Sequence, residues 1–330
     1  MPYKKTILSG IQPSGKLHIG NYVGAIKNWA TLQNSGDYTC YFMIADLHAC
    51  ILNPEPKILR RNVHELAIDL VAGGLDPKKS TIFIQSHLPE HAYLSWVFST
   101  LTAISELERM HQFKEKSAQK EVAINAGLFT YPILQAADIL IYKGDLVPAG
   151  EDQKQHVELT RDIAHRFNNV YGKTFPETKI LLTKTPRVMS IADPTSKMSK
   201  SKGEKNYIAL SDSPTIIKKK IFSAVTDTSP DGTMSAGIKN LFTLLEAFTQ
   251  DEKTYRELLN AYNAKTLQYR ELKETLSEEI ITVLAPIQEK RKELETHPET
   301  VAEILSEGTN KARRVAQETL KEVKEKVGLL

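Results

Sequence analysis

The stretch that most constrains this chain runs from Gly10 to Asn21 and reads GIQPSGKLHIGN. The β-branched and apolar residues 6–8 before it predict a β-strand, and residues 22–30 after it carry apolar side chains at helical spacing. A strand, a glycine-punctuated turn and a helix together point backbone N–H groups and the positive end of a helix at one place. The stretch therefore predicts a phosphate-binding turn.

Two interpretations of this turn compete. From Gly10 to Lys16 it nearly spells a P-loop, but Leu17 stands where a P-loop has the hydroxyl that holds Mg²⁺. From Lys16 to Asn21 it resembles the His-Ile-Gly-His/Asn signature of class I aminoacyl-tRNA synthetases. The choice between them depends on a partner signature further along the chain.

The segment 197–201, KMSKS, supplies that partner. It places two ammonium groups three positions apart, with Lys202 beside them and with Pro194 and Gly203 as loop residues. Alone, such a segment is typical of a solvated connector. Paired with the glycine turn, it predicts a loop that folds over a triphosphate and stabilises charge on the leaving pyrophosphate.

Composition limits the class of protein. A formal net charge of +3 over 330 residues gives no overall basic field, so nucleic acid must be bound by local patches. The two cysteines, Cys40 and Cys50, are too few for a disulfide framework, and Cys40 lies in a predicted buried strand. The sequence lacks a signal-peptide pattern and an apolar run of about 20 residues. We therefore expect a cytoplasmic protein that does not enter the membrane.

The first two thirds of the chain alternate between strand and helix patterns. Further strands are predicted at residues 38–44, 81–84, 146–148 and 188–190. A mainly helical insertion is expected at about 89–145, interrupted by a charged segment at 113–120. This alternation predicts an α/β fold with a doubly wound, parallel, Rossmann-like sheet, whose ligands lie beyond the carboxyl ends of the strands.

Beyond Gly203 only helical patterns are found. Helices are predicted at 216–225, 238–248, 255–262, 278–292 and 301–327, and Pro286 is expected to kink or split the fourth. We therefore expect a catalytic domain at 1–203 and an all-α domain at 204–330, whose last helix can pack back on the catalytic domain. Basic clusters at 218–220 and 311–314 suit tRNA phosphates, although solvated helix faces explain them as well.

Over essentially its whole length the chain resembles the bacterial-type tryptophanyl-tRNA synthetases. The resemblance is carried by residues 9–15, 20–25, 106–117, 131–138 and 150–156, and the last three blocks differ in the tyrosine enzymes. It implies a homodimeric, ATP-dependent ligase that joins tryptophan to tRNA(Trp), with its tRNA-reading region in the helical half. It also implies ATP as substrate, Mg²⁺ bound through the ATP phosphates, and no metal held by the protein itself.

The resemblance also assigns the nucleotide site. Catalytic roles fall to His18, Lys116, Lys197 and Lys200. The ATP site would comprise Gln12, Pro13, Ser14, His18, Gly20, Asn21, Gly150, Glu151, Asp152, Val188, Lys197, Met198, Ser199, Lys200 and Ser201. The attacking carboxylate of an amino acid is already ionised at neutral pH, so the reaction needs positioning and charge stabilisation rather than a general base. His18 would donate a hydrogen bond to a phosphate oxygen; its alternative is a purely structural role at a helix start.

Tryptophan recognition is expected at Asp138, because the indole N–H can only donate and a carboxylate is its natural partner. The alternative is an aspartate on a helix surface. By resemblance, Tyr131 and Gln153 hold the ammonium and carboxylate of the substrate, and Gln135 lines the pocket. The chain departs from many bacterial members at Gln135 and at Leu47, which alters the pocket wall.

Other interpretations remain at this stage. Asp46, His48 and Cys50 could form part of a metal site, but no second cluster completes four ligands. A P-loop NTPase would leave the lysine loop unexplained, and a small-molecule adenylyltransferase would leave the helical half without a role. A non-catalytic relative would have no need of the intact His18 and Lys200.

Overall fold

The computed structural model describes residues 4–117, 124–182, 187–226 and 233–330. A five-stranded parallel sheet lies at its centre, in the order β3-β2-β1-β4-β5. The strands are β1 (Lys5–Ile11), β2 (Tyr38–Ile44), β3 (Ser80–Ile84), β4 (Leu146–Ala149) and β5 (Lys179–Leu182). Ile7 on β1 lies opposite Cys40 on β2 and Leu146 on β4. The strand order reverses between β1 and β4, which confirms the doubly wound α/β fold.

Helices connect these strands and then follow them. Those within the sheet region are α1 (Ile19–Asn21), α2 (Lys27–Ser35), α3 (Asp46–Ala49), α4 (Pro56–Ala72), α5 (Glu90–Ser99), α6 (Ile104–Glu108), α7 (His111–Ser117), α8 (Ala126–Leu140) and α9 (Lys154–Tyr171). A π-helical turn, Tyr22–Ile26, joins α1 to α2. The helical half contains α10 (Pro214–Phe222), α11 (Ala236–Phe248), α12 (Glu252–Asn263), α13 (Tyr269–Thr296) and α14 (Pro298–Val327).

Two sequence predictions are corrected. Residues 188–190 do not form a strand of the sheet: Met189 makes one antiparallel bridge, to Lys197, and its backbone N–H and carbonyl bond the Asn240 side chain on α11. An amide side chain thus takes the place of a neighbouring strand, and the last strand is β5. Pro286 does not split its helix, because α13 runs unbroken from Tyr269 to Thr296.

The sheet separates two apolar layers. Neighbouring residues on a strand face opposite sides, so that Ile7 and Phe42 enter one layer while Leu8 and Phe83 enter the other. The first layer continues into α4, α10, α11 and α13, so the helical half packs on the sheet region through a shared core. The second contains side chains of α5, α8 and α9 together with Ala312, Ala316 and Val323 of α14.

Helix α14 lies against the edge strand β3. A Cβ added at Gly308 would overlap the carbonyl oxygen of Ile82 and lie 2.8 Å from its carbonyl carbon, so only glycine allows the helix backbone to approach this closely. The edge of the sheet at β3 is therefore covered by a helix from the far end of the sequence.

The remaining fold-level expectations concern cysteines and membranes. Cys40 is buried in β2, and burial raises the pKa of its thiol to about 11, so it behaves as a core residue. Cys50 is exposed. In the described residues, every helix is either too short or too polar to cross a bilayer.

Candidate active site at the carboxyl edge of the sheet

Four connections bring polar groups to the carboxyl edge of the sheet. They are the turn after β1, helix α3 after β2, the 3₁₀ turn Gln85–His87 after β3, and the turn at Gly150 after β4. In a doubly wound sheet, ligands bind at this edge near the reversal of strand order. Two groups of side chains are found there, one around the glycine turn and one around Asp138.

The glycine turn is closed by local hydrogen bonds. The Ser14 N–H donates to the carbonyl of Gln12 at 2.8 Å, and Gly15 has a φ of +100°, which favours glycine. His18 then caps α1: its Nδ1 accepts from the Asn21 backbone N–H at 3.3 Å, while the Asn21 side chain accepts from the His18 N–H at 3.2 Å. This reciprocal capping box fixes the histidine ring at the helix start.

The environment of His18 sets its protonation. Burial, and then the positive charges of Lys200 and Lys197, lowers the pKa of His18 from 6.5 to about 4. The ring is therefore neutral near pH 7. Since Nδ1 accepts a hydrogen bond, the single ring proton lies on Nε2. His18 can thus donate from Nε2 to a phosphate oxygen while its other nitrogen holds the helix start.

The lysine loop is tied to the glycine turn by backbone pairing that local sequence patterns did not reveal. The Ile19 N–H donates to the Ile208 carbonyl at 2.9 Å, and the Leu210 N–H donates to the Leu17 carbonyl at 3.0 Å. His18 and Ala209 form the antiparallel bridge between them. Residues 208–210 directly follow the lysine loop, so this pairing places the loop beside the turn.

Side chains complete the junction. The ammonium of Lys200 donates to the Ser14 carbonyl at 2.9 Å and lies 3.2 Å from its hydroxyl. Burial lowers the pKa of Lys200. Lys197 acts on the same site through its charge on His18, while Lys202 turns away to pair with Asp193 at 3.1 Å. Of the three loop lysines, Lys200 therefore contacts the turn directly, and Lys197 affects it through its charge.

The remaining residues predicted for the nucleotide divide into two places. Val188 is buried. A Cβ added at Gly20 would lie 3.6 Å from the Cβ of Val188, so the valine side chain lies close to the glycine turn. Met198 is buried and bonds the Val188 carbonyl through its N–H, whereas Pro13 is buried within the turn itself. Gly150 precedes the exposed carboxylates of Glu151 and Asp152 at the end of β4.

Asp138 is not on a helix surface. It is 1% exposed, and its carboxylate accepts three hydrogen bonds: from His48 Nε2 to Oδ2 at 2.7 Å, and from Gln85 Nε2 and His91 Nδ1 to Oδ1 at 2.8 and 2.7 Å. Burial raises the pKa of Asp138, but the bonds from both histidines outweigh burial and hold it below its usual value. The aspartate is therefore an ionised acceptor in the interior.

The other predicted pocket residues lie nearby on α8 and at the start of α9. The Tyr131 hydroxyl donates to Gln112 Oε1 at 2.8 Å and lies 2.7 Å from His156 Nε2, and its ring meets His48 edge-on. Gln135 Nε2 donates to Gln153 Oε1 at 3.3 Å, and Gln153 Nε2 reaches Asp152 at 3.3 Å. Gln153 thus links Gln135 on α8 to the carboxylate turn predicted for ribose.

The side chains of Lys116 and Ser201 fall outside the described part of the structure, and Ser199 lies in the loop between Lys197 and Lys200. In the helical half, Lys220 is held by Asp212 at 2.7 Å and Arg313 donates to the His87 carbonyl, so part of each basic cluster is engaged within the chain.

Gln85 and His91 were missed from sequence, whereas His48 entered only as a metal candidate. The available signal for Gln85 was its position directly after a buried parallel strand. Asp46 bonds the Ser86 hydroxyl and backbone, and His48 bonds Asp138, so these two residues serve the interior network. Within the described ranges, no group of three His, Cys, Asp or Glu residues is arranged to hold a metal.

Comparison with known proteins gives a consistent result over the full chain. The family model for tRNA synthetases class I (W and Y) matches residues 3–285. A tryptophan–tRNA ligase from Caldanaerobacter subterraneus subsp. tengcongensis is 48% identical over 333 residues, covering 99% of both chains. One from Clostridium tetani is 45% identical, covering 99% of this chain and 96% of the relative.

Solved structures agree. A tryptophanyl-tRNA synthetase from Campylobacter jejuni, complexed with ADP and tryptophan, superposes with a TM-score of 0.84 at 36% identity, covering 98% of this chain and 99% of that one. The tryptophanyl-tRNA synthetase of Mycoplasma pneumoniae gives a TM-score of 0.85 at 35% identity, covering 99% and 98%.

Proposed function

The chain belongs to the class I tRNA synthetases for tryptophan and tyrosine, and we propose how its residues divide the work of a tryptophan–tRNA ligase. The ligase activates L-tryptophan with ATP to form tryptophanyl-adenylate and pyrophosphate, and then transfers tryptophan to the 3′-terminal adenosine of tRNA(Trp). The observation that supports the residue assignment is the contact between Lys200 and Ser14, because it joins the segments that carry the two class signatures.

In the first step, a carboxylate oxygen of tryptophan bonds to the α-phosphorus of ATP, and the bond from that phosphorus to the bridging oxygen breaks. Negative charge grows on the departing pyrophosphate. Lys200 and Lys197 supply positive charge beside the turn, and neutral His18 supplies a fixed N–H donor. These groups stabilise charge without exchanging a proton, since the nucleophile is already ionised. Lys116 is proposed as a further phosphate-side cation on the grounds of family resemblance.

The nucleoside would be held on both sides of the strand-order reversal. Gly20 and Val188 form the proposed adenine surface, and Gly150, Glu151 and Asp152 form the proposed ribose turn. Gln12, Ser14 and Asn21 offer polar groups around the glycine turn. Carboxylates suit ribose because they accept hydrogen bonds from sugar hydroxyls.

Asp138 is proposed to accept the indole N–H, and its burial supports this role. An amino acid without that donor would leave a buried carboxylate position unpaired, a penalty that allows discrimination of about 10⁴–10⁵-fold without editing. Tyr131 and Gln153 would hold the substrate ammonium and carboxylate, with Gln135 at the pocket wall.

Mg²⁺ would reach the site with ATP rather than through a protein cage. At the turn, Lys200 supplies a cation and His18 a donor, and neither is a ligand of the kind that Mg²⁺ prefers. The metal would shield the phosphate charge, and Lys200, Lys197 and His18 would position and stabilise the same phosphates.

The proposal extends to the roles of the two domains, the oligomeric state and the location of the protein. We assign residues 1–203 to the catalytic domain and 204–330 to the region that reads tRNA(Trp). Trp96 and Ile104 are 73% and 67% exposed on neighbouring helices, which supports a homodimer formed through that surface. A cytoplasmic location fits an enzyme that needs ATP and tRNA.

ATP–pyrophosphate exchange stimulated by each standard amino acid in turn tests this function. Exchange should depend on tryptophan and be negligible with tyrosine and phenylalanine. Exchange stimulated by another amino acid would replace tryptophan as the substrate. ATP hydrolysis without any amino acid would instead favour a P-loop NTPase.

A further inference from the structure

A row of hydrogen bonds extends from Asp138 to two further buried side chains. His91 lies behind the carboxylate with its side chain fully buried. Its Nδ1 bonds Asp138 at 2.7 Å, and its Nε2 bonds the Tyr142 hydroxyl at 2.8 Å. The row therefore runs Tyr142–His91–Asp138.

The acceptor positions of the carboxylate can be counted. Each carboxylate oxygen offers two lone-pair directions. Gln85 and His91 fill both positions on Oδ1, and His48 fills one on Oδ2. The described hydrogen-bond partners of Asp138 thus use three of the four acceptor positions, and the fourth is on Oδ2. Because Oδ1 is held from two directions, the carboxylate cannot rotate without breaking bonds.

Tyr142 determines which proton His91 carries. The phenol is buried among rings: it stacks on Tyr41 at 4.7 Å and meets Phe83 edge-on at 5.5 Å. Burial and the nearby charge of Asp138 raise the pKa of Tyr142 well above its usual value, so the hydroxyl keeps its proton. It donates to His91 Nε2, which leaves the imidazole proton on Nδ1, directed at Asp138.

We infer that His91, together with Gln85, is a positioning residue that orients Asp138 so that a single Oδ2 acceptor position faces the substrate N–H. In this arrangement the selectivity for tryptophan depends on residues that do not touch the substrate. The inference rests on the proposed role of Asp138 and extends it to the network behind it.

The test compares two substrates of the same shape. Tryptophan carries an indole N–H, and β-(benzothiophen-3-yl)alanine carries sulfur in its place. The ratio of their kcat/KM values in pyrophosphate exchange measures how well Asp138 is presented to the N–H. A purely structural role for His91 would lower both values together and leave the ratio unchanged.

Two amide variants separate the two nitrogens of His91. In His91→Asn the side-chain amide occupies the place of Nδ1 and can still donate to Asp138, so the ratio should stay within about threefold of wild type. In His91→Gln the amide reaches toward Tyr142 instead, and the ratio should fall at least tenfold. Equal ratios in the two variants would overturn the inference.

Two further variants serve as a control and as a replacement if the His91 variants misfold. Tyr41→Phe keeps the ring stacked on Tyr142 and should leave the ratio unchanged. If the His91 variants fail to fold, Gln85→Met removes the other donor to Oδ1; a tenfold lower ratio supports the inference and an unchanged ratio contradicts it. Wild-type enzyme without tryptophan-dependent exchange would refute the proposed function itself. Wild-type exchange with ratios insensitive to every variant would refute only this inference.

Discussion

The ammonium of Lys200 lies 2.9 Å from the carbonyl oxygen of Ser14, although 186 positions separate the two residues along the chain. The backbone pairing of residues 17–19 with residues 208–210 places the lysine loop within this reach. The contact holds the ammonium beside the glycine turn, which is the proposed triphosphate site.

Lys200→Ala should lower kcat for tryptophan-dependent pyrophosphate exchange by about 10²–10³-fold, the usual cost of removing one donor to a developing anion. Tryptophan binding, measured by fluorescence titration or calorimetry, should change less than about twofold. The control is Lys202→Ala in the same loop, whose ammonium pairs with Asp193 and should be dispensable. Equal losses in binding and in rate would show that Lys200 acts only on the ground state.

His18→Asn should retain the helix cap, because asparagine also accepts a backbone N–H, while losing the Nε2 donor. We expect kcat to fall about 10²-fold. The pKa of His18 is lowered to about 4, so its ring stays neutral throughout the range from pH 6 to pH 8. The ratio of wild-type to variant kcat/KM should therefore be constant over that range. A several-fold change in the ratio centred near pH 6.5 would show that His18 titrates normally and acts as a cation.

Arg291→Gln should destabilise the protein more at pH 8 than at pH 5. Arg291 on α13 pairs with Asp69 and Glu65 on α4 and, at 2.9 Å, with Glu295 on its own helix. Asp69 in turn accepts a hydrogen bond from the backbone N–H of Leu17 in the glycine turn. Burial, opposed by Arg291, raises the pKa of Asp69 to about 6. Without the guanidinium that pKa rises further, so the carboxyl takes up a proton at pH 5 but remains an unpaired buried charge at higher pH.

Urea denaturation at pH 5 and pH 8 provides the measurement for Arg291→Gln. The loss at pH 8 should approach about 3–5 kcal/mol and should shrink at pH 5. Glu295→Gln is the matched control, because it removes the partner that is about half exposed and should cost less than about 1 kcal/mol at either pH. A loss that is the same at both pH values would contradict the role assigned to Asp69.

Gly308→Ala should be among the most destabilising glycine substitutions, at about 3 kcal/mol or more, because its Cβ would overlap the backbone of β3. Gly24→Ala provides the comparison, since a Cβ there meets nothing within 4 Å. Alanine within that π-helical turn should be neutral or slightly stabilising. Thermal unfolding of the two variants against wild type would test the difference, and similar melting temperatures would argue against tight packing of α14 on β3.

Much of the architecture follows from local sequence patterns. The strands at 38–44 and 81–84 and the long helices after residue 203 were predicted because apolar spacing repeats with the period of each element. The glycine turn and the lysine loop were predicted because both have short signatures with a mechanism. In each case neighbouring residues along the chain carry the information.

The features that the sequence did not reveal are contacts between residues that are far apart along the chain. The strand predicted at 188–190 was wrong because a side chain of α11, Asn240, satisfies the Met189 backbone. The donors around Asp138 come from α3, from the 3₁₀ turn after β3 and from α5. His91 has no local feature that would identify it as one of them. The pairing of residues 17–19 with 208–210 likewise has no sequence signature.

The covering of β3 by α14 has a consequence for how the protein is made. During synthesis the sheet strands leave the ribosome well before residues 298–327, so the edge of β3 stays bare until the ribosome has translated those residues. The nascent sheet can then pair with other exposed strands, and chaperone contact at this edge would be most useful in that interval. Because α14 covers β3 and is translated last, folding of the sheet region is complete only after the whole chain has been made.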